Sequence, residues 1–261
     1  MVSCITVSQT LAVGEIEERT VTFSEEINTL AISSGFDVIV DKTIPRGEVH
    51  ITTNSDMYEY IDVSTKDATL NIKLKSTMLR AEILEARIPE YNYNGIAISG
   101  GADLEWFDCN VPLLTVAASG GADAEISGTI EEMSIASSGG ADIDMQVNGT
   151  TIAVAASGGA DVEIDGTFAD VSIAVSGGAD IDMQGSCTTL SVTASGGADA
   201  SLDELLAEDV TVDASSGAGA DVYASKSLKA TATSGADISY SGNPEVLDIK
   251  KSSGGSVKAE R

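Results

Sequence analysis

One motif recurs at a nearly fixed spacing, and this spacing constrains the fold more than any other feature of the chain. Residues 156–166 read ASGGADVEIDG, and near copies stand at ISGGADLEW, ASGGADAEISG, SSGGADIDMQ, VSGGADIDMQG and ASGGADASLDE. The aspartate after Gly-Ala falls at Asp103, Asp123, Asp142, Asp161, Asp180 and Asp199, in steps of 20, 19, 19, 19 and 19 residues. Asp221 and Asp237 follow at 22 and 16, together two periods, and SSGGS around Ser256 is a degenerate last copy. A second landmark keeps the same time: Leu114, Met133, Ile152, Val171, Leu190, Val210, Leu228 and Leu247 are spaced 19, 19, 19, 19, 20, 18 and 19. Length changes that cancel within one unit imply that neighbouring units stack in register.

Each unit reads as two strands. Asp161-Val162-Glu163-Ile164 alternates acid outward and apolar inward, the period-2 pattern of a half-buried strand. The inward set is Ala124/Ile126, Ile143/Met145, Val162/Ile164 and Ile181/Met183. After a turn at Gly128, Gly149, Gly166 or Gly185, the second strand sends Val171, Ile173 and Val175 inward and Ser172 and Ala174 outward. Ser-Gly-Gly then turns the chain, because glycine tolerates the positive φ that a corner needs. The one short helix candidate is LDELLAED at 202–209. A 19-residue unit cannot bury an apolar face alone, but coils stacked ~4.8 Å apart share one core. The expectation is an all-β fold, a single-stranded right-handed β-helix with 19-residue coils. The alternative, a β-propeller, needs ~40 or more residues per blade and so two units in each.

The first ninety residues break the period. INTLAISSGFDVIV (27–40) matches the coil pattern, with Leu30, Ile32 and Asp37 in their usual places, and the next match, IAISGGAD, comes at 96–103. Between them lie the alternating runs EVHITTN, EYIDVST, ATLNIKLKS and RAEILEARIP. The expected organisation is a flexible segment at 1–14, an N-terminal coil with an inserted β-meander at 15–95, and β-helix repeats at 96–261.

The order TVTFSEEINTLAISSGFDVIV, DMYEYIDVSTKDATLNIKLK, then AISGGADLEW and its copies resembles the putative auto-transporter adhesin, head GIN domain family of bacterial envelope proteins, from about Glu15 to the end. The resemblance implies a β-helical extracytoplasmic protein, often carried behind a secretion or lipoprotein signal, and transfers no catalytic residue. This chain departs from it in the regularity of its SGGAD copies.

Charge is unevenly placed. The chain carries 41 Asp and Glu against 14 Lys and Arg, a formal charge of −27. Residues 88–225 hold 23 of those acids and no Lys, Arg or His, hence −23. Such a surface repels nucleic acid and anionic lipid headgroups, leaving cations, basic partners and neutral glycans. Cys4, Cys109 and Cys187 have unrelated spacings and suggest neither a disulfide framework nor a metal site. The only histidine, His50, reads as a solvent-facing strand residue. No run approaches the ~18 apolar residues of a membrane span. A small residue before Cys4 matches the end of a lipoprotein signal; if Met1 replaces a removed leader, Cys4 is a lipid anchor of an envelope protein, and otherwise an unpaired cysteine.

In-register stacking places Asp123, Asp142, Asp161, Asp180 and Asp199 in one ladder and Glu125, Asp144, Glu163 and Asp182 in a second on the same face. Carboxylates roughly 5 Å apart repel by about 1 kcal/mol even in water. Relief comes from solvent, raised pKa values, the Gly-Gly N–H groups or bound cations. A solvated acidic face is the leading reading. Ordered Ca²⁺ is the sharper one, since calcium takes several oxygen ligands in flexible geometry. The pattern differs from the calcium-binding GGxGxDxUx repeat in lacking its third glycine. Paired carboxylates also raise a glycoside hydrolase as the enzymatic alternative. Tyr58, Tyr60, Tyr91 and Tyr93, with Trp106 and Phe107 nearby, suggest a glycan-stacking patch, although Trp106 shares the inward slot of Ile126. The flat outward face of Ser134/Ala136, Ala153/Ala155, Ser172/Ala174 and Ser191/Thr193 offers a surface for self-association. Together these features point to a non-enzymatic envelope or secreted surface protein, adhesin-like or matrix-interacting, whose partner is a glycan or a protein.

Overall fold

The computed structural model describes residues 10–76 and 79–260. Cys4 and the greater part of the 1–14 segment lie outside the described residues. The described residues are about 70% strand and 2% helix, wound into a β-solenoid of about nine turns with coils of about 19 residues. From Gly95 onward each coil pairs in parallel with the coil before it, and each but the last with the coil after it. The row Leu114, Met133, Ile152, Val171, Leu190, Val210, Leu228 and Leu247 is one continuous line of partners.

Each coil has three arms. In Asp103–Ser119, Leu104 and Trp106 point inward, and then Phe107 and Asp108 both face out. Cys109 and Val111 return inward, Pro112 and Leu113 both face out, and Leu114, Val116 and Ala118 close the side. Two successive outward residues reset the alternation, so an extended chain bends without leaving its ladder. The third corner is Ser-Gly-Gly-Ala. Gly120 and Gly121 hold φ of 68° and 75° there, and Ala122 fits inside the bend with no exposed surface. Most of the glycines expected to form turns sit within strands instead. A Cβ on Gly166 would lie 1.8 Å from the Val147 carbonyl oxygen, so coil-on-coil approach excludes any side chain.

Irregular steps are absorbed as bulges at the bends. The 20-residue step after Asp103 is an extra residue between Trp106 and Cys109, and the step from Leu190 to Val210 is a register shift opposite Asp182 and Gly185. LDELLAED is therefore not a helix. It lies within the strand Asp199–Ser215, with Leu202 and Leu205 buried and Leu206 outward. Helical preference of at most about 0.7 kcal/mol per residue does not outweigh ladders on both sides. Asp221 is a false landmark: Asp199 pairs with Gly219, and Asp221 stands two positions on, opposite Ser201.

The inserted runs do not form a separate meander. Thr69–Leu74 pairs in parallel with Thr29–Ser33, and Leu84–Ile88 with Asp37–Val40, which adds a rung beneath the first coil. Ile61–Lys66 then lies antiparallel on Thr69–Leu74, Glu48–Asn54 antiparallel on Leu84–Ile88, and Ile16–Thr22 on Glu48–Asn54. EYIDVST is strand only from Ile61, because Ser55–Tyr60 is a 3₁₀ turn with Met57 fully buried. Reversing the chain direction and ending on charged Glu17, Glu18 and Arg19 caps this end of the ladder.

Gly166→Ala is expected to cost about 3 kcal/mol or more, because the backbone of the next coil must move. Gly197→Ala, with φ of 76° but nothing within 4 Å of its Cβ, should cost about 1–2 kcal/mol, the left-handed penalty alone. Urea midpoints of the two variants measure the difference.

Candidate functional site: a two-row carboxylate face

The first arm of each coil presents its outward residues in register. The first row runs Asp37, Asp103, Asp123, Asp142, Asp161, Asp180 and Asp199, one partner above the next. Glu85 extends it below Asp37. The second row is Glu105, Glu125, Asp144, Glu163 and Asp182, ending at Ser201. All nine carboxylates expected in the ladders are therefore brought together. Asp37, Asp103 and Glu105 join them, and each was visible as a coil-pattern position. Glu85 had no such signal, because its rung is supplied out of chain order. The rows line an open groove of about 470 Å³ running from Asp103 to Asp182.

Counter-charge enters this face, among the described residues, only at its foot, where Arg87, in line with Glu105 and Ile39, pairs with Glu85 at 2.8 Å. Among the described residues no salt bridge reaches either row between Asp103 and Asp199. The corner N–H groups are spent elsewhere: Gly120 donates to Ser138 O at 3.3 Å and Gly159 to Gly139 O at 3.0 Å. Partial burial, with Asp123 and Asp37 close by, raises the Asp103 pKa; burial and the neighbours Asp123 and Asp161 raise that of Asp142. Among the described residues no three carboxylates converge on one point as a metal cage would require. The charges form an array.

The aromatic patch is corrected by burial. Tyr93 is fully buried and Tyr91 nearly so. Tyr93 stands edge-on to Trp106 at 5.5 Å between centroids, and Tyr91 edge-on to Tyr93 at 5.8 Å. The Tyr93 hydroxyl donates to Pro89 O at 2.6 Å, and the Arg46 guanidinium lies 4.8 Å over the Tyr91 ring. These rings fill the join between cap and coils, where no neighbouring repeat supplies a filler, and cannot stack on a glycan. Tyr58 is half-buried beneath Arg19 with its hydroxyl 2.6 Å from Ile51 O; Tyr60 is half-buried nearby. Trp106 packs in the core. His50 is not freely solvent-facing: its Nε2 lies 3.1 Å from the Glu48 carboxylate and its ring is half-buried. Cys109 and Cys187 are buried thiols whose pKa values burial pushes up to about 11, which leaves them protonated and unreactive.

Raised carboxyl pKa values mean that the folded chain holds these protons more tightly than the unfolded one. Their cost, present at neutral pH, is relieved as pH falls through the raised values towards about 4. Asp41, hydrogen-bonded by Thr43 and paired with Arg87, and Asp56, which accepts the Val13 N–H, have lowered pKa values and lose their contribution below about pH 4. The melting temperature should thus rise from pH 7 to a maximum at about pH 4–5 and fall below it. At pH 7, Ca²⁺ and Mg²⁺ at equal concentration should raise it equally, since an array screens by charge and a cage selects by geometry.

The chain matches the family described as putative auto-transporter adhesin, head GIN domain, over residues 26–147 and again over 129–244. Among solved structures it is similar to a putative lipid binding protein from Parabacteroides distasonis, at 15% identity and a TM-score of 0.71, with 97% of this chain and 100% of that chain covered. It is similar also to a putative adhesin from Parabacteroides merdae, at 13% identity and a TM-score of 0.68, with 97% and 99% covered. A putative adhesin from Bacteroides fragilis follows at 17% identity and a TM-score of 0.52, with 96% and 99% covered. At these identities the likeness is one of fold. No curated protein matches the chain. With a doubled family match spanning most of its length and a β-solenoid shared with those structures, the chain belongs to the putative auto-transporter adhesin, head GIN domain family.

Proposed function

We propose that this chain is a non-enzymatic surface protein of the bacterial envelope, a stiff solenoid whose carboxylate face holds a basic partner segment outside the cell. The observation that carries the reading is the double row itself. Eleven carboxylates, from Asp103 and Glu105 up to Asp199, stand in six successive coils, and no Lys, Arg or His occurs between residues 88 and 225 to neutralise them. A groove lined by one sign of charge on a low-dielectric wall focuses its field, which raises the local concentration of a cationic partner and its rate of encounter. Same-face side chains of an extended peptide recur every ~6.8 Å and the rungs every ~4.8 Å. One-to-one pairing is thus out of step, and attraction comes from the summed field.

Paired carboxylates recur in rung after rung along one open groove, whereas acid–base catalysis uses a single pair set where a substrate is enclosed. Membership of an adhesin family supports a role in contact, and a lipidated Cys4 would complete the envelope reading.

The test is binding of a lysine octapeptide to the immobilised protein, with a glutamate octapeptide as control. Affinity should fall at least about tenfold between 50 and 300 mM NaCl, as expected of contacts dominated by charge. The triple variant D142N/D161N/D180N should weaken it by about tenfold again at low salt. Binding indifferent to salt and to the triple variant, or no binding at 50 mM salt, would overturn the proposal.

A further inference from the structure

The two ends of the solenoid are finished differently. Antiparallel strands cover the ladder at the N-terminal end. At the other end Val246–Lys251 is hydrogen-bonded on one side alone among the described residues, to the strand Gly219–Ala232. Leu247 and Ile249 occupy the slots that Leu228 and Ala230 fill one coil earlier. Leu228 and Ala230 are 1% and 0% exposed, while Leu247 and Ile249 are 49% and 37% exposed, beside Val246 at 62%. The last coil therefore bears an unpaired strand edge over an uncovered apolar stripe.

The edge carries its own charge code. Asp248 and Lys250 face outward and pair with each other at 3.5 Å. The Ser252 N–H donates to Ala232 O at 3.1 Å, which with the pairing register turns the backbone groups of Val246, Asp248 and Lys250 to the preceding coil and leaves those of Leu247, Ile249 and Lys251 on the free edge. When this strand is laid antiparallel on a second copy of itself about Ile249, Asp248 of each copy falls opposite Lys250 of the other. The two Ile249 residues form the central hydrogen-bonded pair, flanked by two non-hydrogen-bonded Asp248–Lys250 pairs, in which side chains approach closest. Leu247 then lies against the stem of Lys251. Shifting the centre by one residue to Asp248 sets two aspartates opposite one another, which like-charge repulsion disfavours.

We infer that the chain forms a closed two-fold, end-to-end dimer through Val246–Lys251, in the register centred on Ile249. Open-ended growth is blocked at both ends. The N-terminal end presents capped strands, and Lys251, in an inward slot with its Nζ 3.4 Å from Val257 O, puts a cation where a further parallel coil would need an apolar residue. An isologous pair satisfies this edge on each molecule and closes the contact, since both copies use the same strand. The arrangement also keeps the acidic shafts apart. Residues 226–261 carry six Lys and Arg against four Asp and Glu, a formal +2, while residues 88–225 carry −23.

Sedimentation velocity of the whole chain at about 5–200 µM in 0.15 M salt, where the Debye length is about 8 Å, reads the outcome. The wild type should pass from monomer to dimer without larger species. D248K and K250D should each weaken dimerisation more than about tenfold, since each sets like charges opposite twice. The double variant D248K/K250D should restore it, as should mixing the two single variants, because every cross-strand pair is then opposite in sign. Ile249→Lys should abolish it, with melting temperature and circular dichroism confirming that each variant is folded. A wild type that stays monomeric to 200 µM would overturn the proposal and leave this edge to a different partner. So would a dimer that ignores both single charge reversals, which would place the contact on another face.

Discussion

The structure depends on one constraint, the in-register parallel ladder that fixes successive coils ~4.8 Å apart. Within it a residue touches its own equivalents above and below more than anything else. Leu114, Met133, Ile152 and Val171 form a single apolar file because each is the next one's partner. Stability is then close to a sum of coil and nearest-neighbour contributions, and a unit too short to own a core belongs to a shared one. The same closeness explains the glycines at the bends, where a neighbouring carbonyl occupies the space a side chain would need.

A lattice that multiplies favourable contacts multiplies unfavourable ones equally. An outward aspartate in one coil is a minor matter of solvation; in six successive coils it is a line of charge with desolvated members such as Asp103 and Asp142. The chain leaves that line uncompensated along the shaft and keeps its basic residues at the two ends. Lys42 reaches Asp108 O from the cap, and Lys226 pairs with Glu208 near the last coils. Stability has been set against a surface of one sign, which is the pattern expected where a site serves an outside partner and not the fold.

How much was legible follows from the same lattice. Positions repeated in every coil could be read by comparison with their copies, so the inward file and both carboxylate rows were plain from spacing and alternation. Features that occur once had no copies to average over. Tyr91 and Tyr93 looked like surface aromatics, yet they plug the junction where coil and cap do not match. Glu85 enters the acidic row because Leu84–Ile88 supplies a rung beneath a coil that precedes it in the chain. Asp221 shows the reverse error: GAD was copied without its place in the register, and hydrogen bonding, which the motif does not encode, shifted it by two. At Leu202–Leu205 local preference spoke for a helix and neighbours on both sides overruled it.

The order in which the rungs are supplied bears on how the chain reaches its fold. Every strand of the capped end lies within the first ninety or so residues, and each later coil adds to one already laid down by earlier sequence. A chain delivered amino-terminus first, whether from the ribosome or through a translocation pore, thus has a finished template before its first repeat emerges. Each new coil can crystallise onto the growing front without waiting for anything downstream. The aromatic junction of Tyr93 and Trp106 is where the first repeat meets that template.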